Sequence, residues 1–120
     1  MEKDYKIAII GLGYVGLPLA IAFSKFYTVI GFDINKERIR NLENDIDSNS
    51  NIDIKSYPNL KYTSSINDIK DSNIYIVTVP TPVKEDNTPD LTLLKSATRM
   101  LSTYINKGDI VIYESTVYPG

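Results

Sequence analysis

Tyr5-Lys6-Ile7-Ala8-Ile9-Ile10 runs straight into Gly11-Leu12-Gly13-Tyr14-Val15-Gly16-Leu17-Pro18 and then Leu19-Ala20-Ile21-Ala22-Phe23-Ser24-Lys25-Phe26, and how this stretch is read decides the fold. The first piece is continuously apolar from Ile7 to Ile10, as in a central strand of a parallel sheet covered on both faces. The last piece is apolar nearly all round, which suits a helix buried against a sheet. Pro18 is tolerated only where that helix begins, because amides there have no intrahelical partner. Residues 7–24 carry no charge between Lys6 and Lys25, a length that touches the threshold for a membrane span. Gly11, Gly13, Gly16 and Pro18 interrupt the run, so it reads as strand, turn and helix instead.

The glycines of the turn follow the pattern Gly11-x-Gly13-x-x-Gly16. Gly11 permits a tight turn, Gly13 lets a pyrophosphate approach the backbone, and Gly16 lets helix and strand pack closely. The backbone of Leu12, Tyr14 and Val15 belongs to the same cradle, at the electropositive start of the helix. Thr28-Val29-Ile30-Gly31-Phe32-Asp33 is a second strand that ends in an acid, close to the roughly 20-residue offset of a dinucleotide fingerprint. A carboxylate there can accept both hydroxyls of an adenosine ribose and repels a 2′-phosphate, which favours NAD over NADP. Arg38, in the helix that follows, either folds back over the ribose edge or is a solvated helix charge. The competing reading of the whole motif is a structural glycine turn beside a solvated acid.

Working outward, 35–44 reads as a helix with Asn35 as N-cap and Ile39 and Leu42 turned inward. Residues 45–60 are the least readable part, with the polar run 45–51 suited to a loop. Lys61-Tyr62-Thr63 is a short edge strand, followed by one helical turn over 65–70. Asn73-Ile74-Tyr75-Ile76-Val77-Thr78-Val79 is a buried strand cut off by Pro80-Thr81-Pro82. A second polar loop spans 84–90, a helix 91–106, and Lys107-Gly108-Asp109 turns the chain into a last strand, Ile110-Val111-Ile112-Tyr113. Alternating strands and helices imply right-handed crossovers and a Rossmann-like, doubly wound α/β sheet. The strand order expected is 3-2-1-4-5, with ligands at the carboxyl ends of the strands.

Composition narrows the function. The 120 residues, 42% hydrophobic and 23% charged, suit one globular domain over 1–120 with a real core. A net charge of −2 argues against a general nucleic-acid binder, whose affinity rests on phosphate neutralisation. There is no Cys and no His, which excludes thiol nucleophiles, disulfides and the usual zinc sites, so no metal site is expected. The lack of Cys also fits a reducing compartment, and a cytoplasmic location is expected.

Gly-Leu-Gly-Tyr-Val-Gly-Leu-Pro-Leu-Ala at 11–20, Gly-Phe-Asp-Ile-Asn at 31–35, Val-Pro-Thr-Pro at 79–82 and Glu-Ser-Thr-Val-Tyr-Pro-Gly at 114–120 resemble the UDP-glucose/GDP-mannose dehydrogenase family. Tyr75 to Val83 and Tyr113 to Gly120 resemble, within it, the branch acting on UDP-N-acetylhexosamines. The resemblance implies oxidation of the C6 alcohol of a nucleotide sugar to a carboxylate, with NAD used twice and the intermediate held on a Cys. It implies products that feed surface polysaccharides, and a complete protein that is a homodimer. It also implies that Thr81 contacts NAD and that Thr116 sits beside the nicotinamide and a catalytic water. Local readings compete: Pro80-Thr81-Pro82 as a strand-ending turn, and Thr116 as a hydroxyl bonded to its own turn. Glu114 reads as a strand-end acid.

One departure from the family stands out. Its catalytic Cys, Lys, Asn and second Asp lie well beyond the first domain, and no such positions exist in this chain. The chain is therefore expected to be an amino-terminal portion, cut before the end of the cofactor domain, that does not catalyse alone. Another NAD(P)-dependent dehydrogenase and a free-standing NAD-binding regulatory module are the alternatives.

Overall fold

The computed structural model describes residues 5–13, 15–43 and 57–114. The chain alternates strictly: β1 (Lys6–Ile10), α1 (Gly16–Ser24), β2 (Thr28–Phe32), α2 (Lys36–Glu43), β3 (Leu60–Thr63), a 3-10 turn (Ile66–Ile69), β4 (Ile74–Val77), α3 (Thr92–Ser102) and β5 (Ile110–Tyr113). All neighbouring strands pair in parallel, in the order β3-β2-β1-β4-β5. That is the doubly wound sheet expected from the alternation, with its switch point between β1 and β4.

The continuous apolar run of β1 is buried on both sides because alternate side chains enter different cores. Ile7 and Ile9 pack with Leu17, Ala20 and Ile21 of α1 and Ile39 and Leu42 of α2. Ala8 and Ile10 pack on the opposite face with Ile69, Tyr75, Ala97 and Leu101, under the 3-10 turn and α3. Full burial of each such Ile or Leu side chain contributes roughly 1.5–3 kcal/mol. Tyr75 is the one buried aromatic hydroxyl in this second core; it donates to the Ile69 carbonyl at 3.2 Å, and burial raises its pKa.

The uncharged run 7–24 thus divides into strand, turn and helix, and no helix among the described residues is long and apolar enough to cross a membrane. Pro18 falls in the first turn of α1, between the amides of Leu17 and Leu19 that open the intrahelical bonding, where a proline is tolerated. Other bounds differ from the sequence reading. Helix α3 stops at Ser102, short of the 106 expected, and Asn106 is drawn into a turn closed by Asp109 with Gly108 at φ +97°. The loop 84–90 contains a small hairpin, with Val83 bridged to Pro89 and Asn87 at φ +68°. The expected loop 45–51 falls outside the described residues.

Register brings the carboxyl ends of the strands level. Ile10 lies opposite Phe32 and Val77, Phe32 opposite Thr63, and Val77 opposite Tyr113. The next residue of each strand continues the ladder: Gly11 N–H donates to Phe32, Asp33 to Thr63, Thr78 to Ile10 and Glu114 to Val77, at 2.8–3.1 Å. Glycine turn, acid, hydroxyl and strand-end acid therefore emerge along one edge.

Candidate functional site: the carboxyl edge at the switch point

The three glycines of the turn are glycine for three different reasons. Gly11 has φ +98°, and a Cβ there would also sit 3.2 Å from the Val79 amide nitrogen. Gly16 is buried where α1 crosses the turn, and a Cβ would overlap the Gly11 carbonyl oxygen and crowd the Thr78 hydroxyl. A Cβ on exposed Gly13 would meet no atom within 4 Å. Among the described residues, nothing requires glycine at 13. The need is explained if something outside the protein comes down onto the backbone there, as a pyrophosphate would.

Leu12 plays two parts. Its side chain is fully buried beneath β2, so close to Gly31 that a Cβ there would come within 2.8 Å of Leu12 Cδ2. Its N–H donates to Asp33 Oδ2 at 2.9 Å, and its carbonyl accepts from Arg38 Nε at 2.9 Å. Leu12 therefore serves the turn through the two peptide groups that flank it, each held by a side chain, and its amide is already engaged by Asp33. Arg38 reaches back across the turn to the Leu12 carbonyl instead of pointing freely into solvent.

Asp33 is half-buried at the end of β2. Its Oδ2 takes the Leu12 amide and its Oδ1 the Asn35 amide at 2.9 Å, which fixes the plane of the carboxylate. A carboxylate offers about four acceptor positions, so room remains for two sugar hydroxyls. Asn35 in turn caps α2, its Oδ1 accepting from the amides of Glu37 at 3.0 Å and Arg38 at 3.1 Å. The cap expected at Asn35 thus also fixes where Arg38 starts.

Helix α1 opens at Val15, which is partly exposed and makes no side-chain cap. Its first intrahelical bonds run from Leu17 to Gly13 and from Leu19 to Val15, each 3.2 Å. The amides before them are those a helix leaves without internal partners, and the dipole is positive there. Across the switch point, Thr81 is buried between exposed Pro80 and Pro82. Gly11, Leu12, Gly13, Val15, Gly16, Asp33, Arg38 and Thr81 thus share one edge of the sheet. Tyr14 and Thr116 lie outside the described residues. Glu114 is exposed at the end of β5.

Thr78, a residue not singled out in the sequence, belongs to this edge. It is buried, and its Oγ1 lies 2.6 Å from the Gly11 carbonyl oxygen and 3.0 Å from that of Ile10. The signal available was a hydroxyl ending an apolar run, which reads equally as the last residue of a strand.

This edge fits a dinucleotide: an open approach over Gly13, a helix start behind it, and an oriented carboxylate one strand away. Residues 5–120 match the NAD binding domain of the UDP-glucose/GDP-mannose dehydrogenase family. The chain belongs to that family. As its NAD-binding domain, it is 53% identical over 98% of its length to UDP-N-acetyl-D-glucosamine 6-dehydrogenase of Salmonella typhi and 52% identical over 98% to that of Pseudomonas aeruginosa. It superposes on the solved UDP-D-ManNAc dehydrogenase of Pyrococcus horikoshii with a TM-score of 0.86 and 39% identity over 96% of its length. The chain spans only 28–29% of the length of these three proteins. Similarity to the UDP-N-acetylhexosamine branch agrees with the resemblance carried by its motifs, and NAD is the cofactor of the domain.

Proposed function

We propose that this chain is the cofactor-binding part of an NAD-dependent 6-dehydrogenase that oxidises the C6 alcohol of a UDP-N-acetylhexosamine to a uronate. The observation that carries the cofactor role is Gly13, where none of the described residues would meet an added Cβ, beside an oriented Asp33. The substrate class is supported by 53% identity to a UDP-N-acetyl-D-glucosamine 6-dehydrogenase. When bound, NAD supplies the hydride acceptor. The Gly13 amide and the start of α1 receive the pyrophosphate, and Asp33 accepts from the adenosine ribose hydroxyls while repelling a 2′-phosphate. Arg38 holds the turn beneath the ribose, and Thr81 meets the cofactor across the switch point. We place Tyr14 in the phosphate turn and Thr116 beside the nicotinamide, where its hydroxyl positions a water. The 120 residues contain no Cys, so a thiol-dependent step falls to another part of the complete protein, and this chain by itself is expected to be inactive. The complete enzyme is proposed to act in the cytoplasm as a homodimer, supplying uronates for surface polysaccharide.

Calorimetric titration of the chain with NAD and with NADP tests the cofactor assignment. NAD is expected to bind more tightly, and Asp33→Ala to weaken it by about 1–3 kcal/mol, the scale of hydrogen bonds to a charged group. Asp33→Asn, which keeps an acceptor oxygen but not the charge, is expected to narrow the preference between the two cofactors. NADP binding as tight as NAD to the unmodified chain would overturn the role given to Asp33.

A further inference from the structure

Two consecutive peptide groups of the glycine turn are gripped by side chains from three other places in the fold. The Gly11 carbonyl meets Thr78 Oγ1 at 2.6 Å, and the N–H of the same peptide, on Leu12, donates to Asp33 at 2.9 Å. The next carbonyl, that of Leu12, accepts from Arg38 Nε at 2.9 Å. No described peptide bond is cis, and in a planar trans peptide the carbonyl and the N–H point in opposite directions. Arg38 approaches from α2, so the Gly13 N–H is turned away from α2, at an exposed residue whose missing Cβ would meet nothing. Thr78 anchors the first of these peptides. Its backbone N–H also bonds Ile10 at 2.8 Å, so β4 delivers the hydroxyl to the turn at a fixed height.

We propose that Thr78 is a positioning residue for the cofactor. Its hydroxyl holds the Gly11–Leu12 peptide in the orientation that presents the Leu12 amide to Asp33 and leaves the Gly13 amide directed at a nucleotide pyrophosphate. The inference rests on the NAD-binding reading of this edge. It assigns to β4, on the far side of the switch point from Asp33, a share in shaping the phosphate turn. Valine matches threonine in shape but cannot donate, and serine keeps the donor.

The test compares Thr78→Val and Thr78→Ser in this chain, with NAD titrated by calorimetry and hydrogen exchange followed at the Leu12 amide by NMR. Thr78→Val is expected to weaken NAD about tenfold, the scale of one lost hydrogen bond in a positioned site, and to speed exchange at Leu12 while leaving Ile9 in the core of β1 unchanged. Thr78→Ser is expected to restore both. If the valine variant does not fold, Thr78→Cys, with only a weak donor, takes its place with the same expectation. Wild-type NAD affinity and wild-type Leu12 exchange in the valine variant would overturn the proposal, as would a serine variant as impaired as the valine one. An unmodified chain with no affinity for NAD would overturn the cofactor reading instead, and Leu12 exchange would then decide the role of Thr78 by itself.

Discussion

Gly13 and Gly16 share a turn and are glycine for opposite reasons. The first faces open space, whereas the second lies against the Gly11 carbonyl and the Thr78 hydroxyl. Substitution therefore separates binding from folding. Gly13→Val is expected to abolish NAD binding by calorimetry while keeping the circular dichroism and melting temperature near wild type, because the added side chain occupies ligand space only. Gly16→Ala is expected to destabilise the domain by at least about 1–3 kcal/mol in denaturant unfolding, as overpacking against a backbone oxygen requires the helix to shift. A Gly13→Val chain that binds NAD normally would contradict the use of that space. The sequence pattern placed all three glycines correctly at the turn. It did not show that Gly13 alone lacks a neighbour, since that depends on which atoms of β4 and α1 arrive beside it.

At the scale of the element, the loop before α3 is more ordered than its polar composition suggested. Asp86 Oδ1 accepts from the hydroxyl and the amide of Thr88, and Asp90 Oδ1 accepts from the amide of Thr92 at 2.9 Å, capping the start of α3. The Thr92 side chain and then its backbone amide hold the Asp90 carboxyl below its ordinary pKa, and the Thr88 side chain and amide do the same for Asp86. A depressed folded-state pKa means that the stabilisation is complete above the ordinary value of about 4 and is lost as pH falls through the lowered one. The start of α3 is thus expected to stay unchanged from neutral pH to about 5 and to loosen in acid. The Thr92 amide shift in NMR would report this, with a titration that disappears in Asp90→Asn. The sequence reading placed a helix over 91–106 but not its end at Ser102. The turn at 106–109 is closed by Asp109 and by Gly108 in the left-handed region, a local competition that overrides helical continuation. The Asn35 cap of α2 was legible because N-capping depends on residues adjacent in sequence.

For the whole molecule, the cofactor edge joins the two halves of the sheet, because β1 lies between β2 and β4 and contributes the turn that both support. A ligand seated there binds only the folded chain, so NAD at a hundred times its Kd should add about 2.7 kcal/mol to stability. In a thermal melt that corresponds to a rise on the order of 10 °C, larger than NADP gives at equal concentration; no rise would contradict a cofactor site at this edge. Much of this architecture was written along the chain. Continuous apolar runs mark strands covered on both faces, and glycine, proline and acid punctuate their ends. Right-handed crossovers then leave 3-2-1-4-5 as the order. These signals are local or depend on connection rules, and so the sequence by itself determined the fold, the phosphate turn and the place of Asp33. The tertiary structure alone decided that the Gly11–Leu12 peptide is held by both Asp33 and Thr78, that Arg38 holds the carbonyl of the next peptide, and that Thr78 anchors the turn from β4. Those contacts join residues far apart in sequence. They follow from the strand register and the seating of α2, which set atoms within 3 Å of one another and leave no periodic trace in the sequence.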